Sequence, residues 1–173
     1  MIVASISFAI SKRFEKHSMD VKNLVEKGHV FTSNKDTNIL ATLETNSIIQ
    51  TDYLTLQPNE NLEKLVDLIS NSNQVIFAVV DEENHLLGIV HFNTIREIIF
   101  NTYRVKYTLV KEIMMPLNEI VTPDESMETV MDKFETSKAT YLPVLKNGKY
   151  YGFISKSFAL EAYRTKLKSM TIE

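Results

Sequence analysis

Apolar positions recur along this chain in two rhythms, and the order of the rhythms repeats. Leu62, Leu65, Val66 and Ile69 stand at i, i+3, i+4 and i+7, one stripe of an α-helix. Val75–Val80 is then an unbroken apolar run rich in β-branched residues. Its length, and the polar stretch Asp81–His85 after it, predict a buried strand rather than a helix. Leu86–Phe92 reads as the return strand of a hairpin, and Asn93 opens a helix that turns Ile95, Ile98 and Ile99 inward. Further on, Met127, Val130, Met131 and Phe134 form a second helical stripe and Tyr141–Leu145 a second strand. Asn147-Gly148 is a strong hairpin signal. Tyr150–Ser155 returns, and Ser157 to about Lys168 closes as a helix.

These two series are copies of one unit. Thr55–Glu63 is echoed by Ile120–Glu128, 65 residues on, and the register holds with Asp67 over Asp132, Ser72 over Ser137 and Val79 over Val144. One residue is lost at a turn, after which Gly88 matches Gly152 and Glu97 matches Glu161 at a spacing of 64. Each unit reads as strand, helix, strand, strand, helix. A unit of roughly 60 residues buries only about 60% of its unfolded surface, so each needs the other's apolar face. The groove between two such units is the natural place for a ligand.

Ahead of the repeats, Met1 to about Phe14 reads as a helix, and Asp20 as the cap of a shorter one, Val21–Lys27, stopped by Gly28. The polar stretch Asn34–Asn46 is a connector ending in a short strand, Ile48–Thr51. Met1–Ile10 is apolar apart from Ser5 and Ser7, but a membrane span needs about 20 apolar residues. Its basic flank (Lys12, Arg13, Lys16) follows the apolar run, whereas a signal peptide carries its charges before it. Two readings stand at this point: an amphipathic helix that docks on the domain or a partner, or the cytoplasmic end of a membrane helix with a positive-inside flank.

The formal charge of −3 supplies no excess of Lys and Arg to neutralise phosphates, which argues against nucleic-acid binding. The absence of cysteine excludes disulfides, thiolate metal sites and a cysteine nucleophile. His17, His29, His85 and His91 are scattered without metal-binding spacing and read as surface or structural residues. Asp52, Glu60 and Glu63, like Asp124, Glu125 and Glu128, read as acids in the first turns of two helices, favoured there by the helix dipole rather than paired for catalysis. With four glycines, no Gly-rich loop and no nucleophile–base set, the chain is not read as an enzyme.

The order of elements, the opening of each repeat helix and the Gly-apolar-apolar after each hairpin resemble a pair of CBS domains. Tyr141-Leu142-Pro143-Val144-Leu145-Lys146-Asn147-Gly148 through Ser155 is especially similar to the second repeat of that family. The resemblance implies an α/β (α+β) fold: a tandem CBS-domain pair, two βαββα repeats with pseudo-twofold symmetry, preceded by an N-terminal helical segment. The division would be residues 1–47 for that segment, 48–104 for the first repeat and 109–166 for the second. It also implies a homodimer and clefts that bind adenine nucleotides.

Ser7–Phe14 resembles the end of the last membrane helix of CLC chloride channels and chloride/proton antiporters, and Ser18–Gly28 resembles the linker from that helix to a cytoplasmic CBS pair. On that resemblance the membrane-helix reading of the N-terminus is the better one. The module would lie on the cytoplasmic side of the cell membrane, its partners a second copy and the chloride-transporting membrane domain. Phe8 stands where that family places a pore-facing Tyr. The alternative is a stand-alone CBS-pair sensor of adenine nucleotides.

The family holds a nucleotide with backbone groups and an apolar wall around adenine, a carboxylate on the ribose, and a Ser or Thr with helix N-terminal amides on the phosphates. The last two belong to Gly-apolar-apolar-Ser/Thr-x-x-Asp. Here the Asp position holds Thr94 in one repeat and Phe158 in the other, and only Ser155 keeps the phosphate-side hydroxyl, with Lys156 or Lys149 to supplement it. The resemblance implies a candidate cleft of Ser155, Thr94, Thr140, Tyr141, Gln74 and Val75. No cofactor is required, and ATP, ADP or AMP would bind weakly, because losing such charge-assisted hydrogen bonds costs about 1.5–3 kcal/mol, roughly ten- to a hundredfold in affinity. Tyr141, Phe77 and Phe153 also read as core aromatics, and Ser155 and Ser157 as helix N-caps.

Overall fold

The computed structural model describes residues 39–171. The expected helices Met1–Phe14 and Val21–Lys27 lie outside the described residues. The two helical stripes fold as read. Helix α1 (Leu62–Ser70) buries Leu62 and Leu65. Its counterpart, which is α5 in chain order (Met127–Ser137), buries Met127, Val130 and Phe134. The Ser126 hydroxyl caps α5 by accepting from the Thr129 N–H at 3.2 Å. At α1 the flanking backbone is tied instead to the connector between repeats, with the Leu62 N–H donating to the Thr108 carbonyl and the Val110 N–H to the Glu60 carbonyl.

Strand β1 (Thr55–Leu56) runs parallel to β2 (Ile76–Val80), which pairs antiparallel with β3 (Leu86–His91). In the second repeat β4 (Tyr141–Lys146) pairs antiparallel with β5 (Lys149–Ser155). The first strand of that repeat is reduced to one parallel bridge, Val121 to Val144. It keeps the register of Leu56 on Val79, its equivalents one repeat earlier. Val79 faces Gly88 and Val144 faces Gly152, and both hairpins slip register just past those valines. Asn147 and Gly148 both have positive φ, 54° and 77°, as a two-residue type I′ hairpin turn requires.

The connector and the closing helix of the first repeat depart from the sequence reading. The expected strand Ile48–Thr51 is a 3-10 turn (Thr45–Ile48) followed by a single antiparallel bridge from Gln50 to Phe153. Hydroxyl groups explain the turn: Ser47 donates to the Glu44 carbonyl and Thr45 to the Glu125 carbonyl, both competing with an extended ladder. The closing helix of the first repeat stops early, as α2 (Phe92–Ile95). The side chain of Asn101 accepts from the Arg104 N–H and caps a new helix, α3 (Thr102–Tyr107). A further turn, α4 (Val110–Ile113), leads into the second repeat. The second closing helix, α6 (Lys156–Thr171), runs uninterrupted.

Each repeat has its own core. Leu56, Leu62, Leu65, Phe77, Val79 and Val90 centre the first, and Val121, Met127, Val130, Leu142, Val144 and Ile154 are their equivalents in the second. A third cluster of Ile76, Ala78, Val80, Tyr150 and Phe153 lies between the two sheets, so β2 is buried on both faces. The lead-in segments are exchanged. Ile48, at the start of the first repeat, sits in the second core, while Ile113, near the start of the second, packs against the first.

Candidate functional site

The hairpin ends converge on a cleft of about 410 Å³ that takes equivalent positions from both repeats: Val75 with Thr140, Phe92 with Lys156, and Asn93 with Ser157, joined by His91 and Tyr141. Its frame is set by two matching backbone bonds. The Phe92 N–H donates to the Val75 carbonyl and the Lys156 N–H to the Thr140 carbonyl, each at 2.9 Å, so both helix starts are pinned to both strand starts. The cleft therefore lies on the relation that superposes one repeat on the other. Its electrostatics are mild. Lys156 Nζ is held by Glu135 Oε1 at 2.8 Å, and that hydrogen bond with its charge keeps the Glu135 carboxyl below its usual value. Burial lowers the pKa of His91, so its imidazole is neutral at neutral pH. Its ring stands 6.0 Å, centroid to centroid, from Tyr141.

A second cleft of about 280 Å³ adjoins the first, sharing Val75 and Tyr141 and adding Gln50, Asp52, Tyr53 and Gln74 among its lining residues. The Gln74 carboxamide bridges the chain just before β1: its Nε2 donates to the Asp52 carbonyl and its Oε1 accepts from the Leu54 N–H, both at 3.0 Å. Tyr53 packs edge-on against Phe153, and burial pushes its phenol up to about 12. Tyr150, deeper in the same aromatic cluster, is raised too, chiefly by burial and then by the nearby Tyr53 and Asp52. Its buried hydroxyl has no hydrogen-bond partner among the described residues.

Of the six residues the sequence pointed to, Val75, Thr140 and Tyr141 line the larger cleft and Gln74 the smaller. Ser155 and Thr94 line neither. Ser155 is buried, and its Oγ caps α6 by accepting from the Phe158 N–H at 3.1 Å while contacting the Ser157 Oγ at 3.2 Å. Thr94 is exposed. Lys149 begins β5 six residues before Ser155, roughly 20 Å away at the rise of a strand, so it does not supplement that hydroxyl. Of the acids read as first-turn residues, Glu63 and Glu128 are so placed, whereas Asp52 precedes β1 and lines the smaller cleft. His91, Asn93 and Tyr53 were missed as site residues. The repeat itself carried the signal for Asn93, one position short of Thr94 and equivalent to Ser157; nothing in the sequence marks Tyr53.

A family model described as CBS domain matches residues 46–101 and 110–157. No curated protein matches the chain. Among solved structures, the CBS domains of a transcriptional regulator from Streptococcus pneumoniae share 15% identity, with a TM-score of 0.59 over 69% of this chain and 98% of that one. The CBS domain of a bacterial CNNM/CorC family Mg2+ transporter in complex with ATP shares 15% identity, with a TM-score of 0.67 over 75% of this chain and 92% of that one. That of a CBS-domain-containing membrane protein from Sphaerobacter thermophilus shares 14%, with a TM-score of 0.61 over 73% and 93%. At these identities the likeness is one of fold.

Proposed function

The chain belongs to the CBS-domain family, as a tandem pair, and we propose that it is a non-catalytic regulatory module that binds adenine nucleotides weakly between its repeats. The observation that carries this is the larger cleft, whose walls are equivalent residues of two interlocked units. A ligand seated there touches both repeats at once, so it can favour one arrangement of the pair over another, which any ligand-driven shift requires. Weak binding is supported by the site's chemistry. Phe158 has no polar side-chain atom for a ribose, Ser155 is engaged as a cap, and Lys156 is paired with Glu135. Fold alone would not confer a site.

The pair acts as a homodimer, and the sequence from Ser7 to Gly28 supports its attachment to a membrane domain of the CLC chloride-transport type, on the cytoplasmic side. Among the described residues no helix is long and apolar enough to cross a membrane. A stand-alone sensor fits the described fold equally well, and nucleotide affinity separates the two readings. Calorimetry with ATP, ADP and AMP should give weak binding for the regulatory module. Low-micromolar binding would favour the sensor, and no binding at millimolar nucleotide would sink the adenine site. Light scattering should give the mass of a dimer, and a monomer at high micromolar concentration would contradict the assembly.

A further inference from the structure

The smaller cleft contains an occupant supplied by the chain itself. Gln74 Nε2 donates to the Asp52 carbonyl and Gln74 Oε1 accepts from the Leu54 N–H. A carboxamide offers one donor beside one acceptor in a plane. The Watson–Crick edge of adenine offers the same pair, with its exocyclic amino group as donor and ring N1 as acceptor. The backbone of Asp52 and Leu54 is thus a recognition edge for a planar base, and here it is already filled. The surroundings suit a base: Tyr53 and Tyr141 stand 6.3 Å apart at 75°, and Val75 is exposed beside them. Behind them Tyr150, 9% exposed and reached from Tyr53 through the Phe153 ring, has a hydroxyl without a hydrogen-bond partner among the described residues.

We propose that Gln74 is an internal competitor for adenine: in the free protein its carboxamide closes the base-recognition edge of the smaller cleft, and a nucleotide seated in the adjoining larger cleft places its base on that edge only by displacing it. This rests on the reading of the pair as an adenine-nucleotide module. It adds a cause of weak binding separate from the missing ribose acid, because two internal hydrogen bonds must break before the base can form its own.

The test compares the wild-type chain with Gln74→Ala, and with Gln74→Met, which keeps the side-chain length should the alanine variant fold poorly. Two readouts are needed: hydrogen exchange at the Leu54 amide without ligand, and calorimetry with AMP. The expected result is faster Leu54 exchange in both variants, with AMP binding tightened on the order of tenfold in Gln74→Ala and in the same direction in Gln74→Met. Unchanged Leu54 exchange would overturn the proposal, since the carboxamide would not then hold that edge. Measurable AMP binding to wild type with no gain in either variant would also overturn it, leaving Gln74 a brace of the loop and the nucleotide reading intact. No AMP binding to wild type or to a folded variant would remove both.

Discussion

Gln50 and Phe153 exchange two backbone hydrogen bonds, each 2.9 Å, so the segment that leads into the first repeat is stitched to the return strand of the second. Met115 and Ile89 make the equivalent exchange in the opposite sense, at 2.8 and 3.1 Å. Both crossings pass over a glycine. A Cβ on Gly88 would lie 2.7 Å from the Met115 carbonyl oxygen, and one on Gly152 would be closer still to that of Gln50. The obstacle is backbone in each case, which cannot swing away as a side-chain tip can. Gly152→Ala should therefore destabilise the fold by about 1–3 kcal/mol, a fall in melting temperature of roughly 2–4 °C per kcal/mol. Gly148→Ala, with open space around its Cβ position but a φ of +77°, serves as a strain-only comparison. Thermal denaturation of the two variants checks this, and a wild-type melt for Gly152→Ala would contradict the crossing.

The turn before each repeat helix is closed by a glutamate. Glu60 accepts from the Gln57 N–H at 2.8 Å and Glu125 from the Thr122 N–H at 2.9 Å. Only the second repeat adds a cation: Lys133 Nζ lies 2.6 Å from Glu125 Oε2 and donates to the Ile120 carbonyl at 2.6 Å. Its equivalent in the first repeat is Leu68, packed against the core. Lys133→Leu should cost about 1.5–3 kcal/mol, because it leaves a half-buried carboxylate without its partner. Adding Glu125→Gln should recover part of that loss while keeping the cap on Thr122. Chemical denaturation of the single and double variants checks both signs.

The aromatic layer between the sheets makes stability sensitive to alkali. Burial raises the Tyr53 phenol from 10.0 to about 12, and Tyr150 is raised in the same direction. The folded chain thus holds these protons at a pH where the unfolded chain has released them. The Tyr53 contribution is fully present below pH 10 and is lost as pH rises through its folded value of about 12, and that of Tyr150 has the same sign. A phenolate absorbance titration should show late-titrating tyrosines, and Tyr53→Phe and Tyr150→Phe should each remove one. Titration of every tyrosine near its ordinary value would contradict this packing.

Local elements were legible where a single rhythm decided them. The stripes at Leu62–Ile69 and Met127–Phe134, the apolar run before Val80 and the Asn147-Gly148 turn each depend on residues close in sequence. What was not legible depends on contacts across the molecule. Ile48 reads as the start of a strand, yet it turns into the second core because Thr45 finds the Glu125 carbonyl, 80 residues away. The exchange of lead-in segments follows from Gly88 and Gly152, which the repeat aligned but whose missing Cβ atoms gain meaning only beside Met115 and Gln50. At the site, Val75 and Thr140 are equivalent positions in the 65-residue register of the repeat. The reading of Ser155 as an N-cap holds, its Oγ accepting from the Phe158 N–H, but the repeat could not reveal that Gln74 has its side chain on the backbone of Asp52 and Leu54.

Nucleotide affinity of Phe158→Asp against wild type is the most direct test of the account. Phe158 is 39% exposed in the first turn of α6, where the carboxylate of an aspartate reaches solvent and is favoured by the helix dipole. With a ribose acid supplied to the cleft, the variant should bind AMP or ATP about ten- to a hundredfold more tightly than wild type in calorimetry. Equal affinities, or no binding by either protein, would contradict the assignment of that cleft.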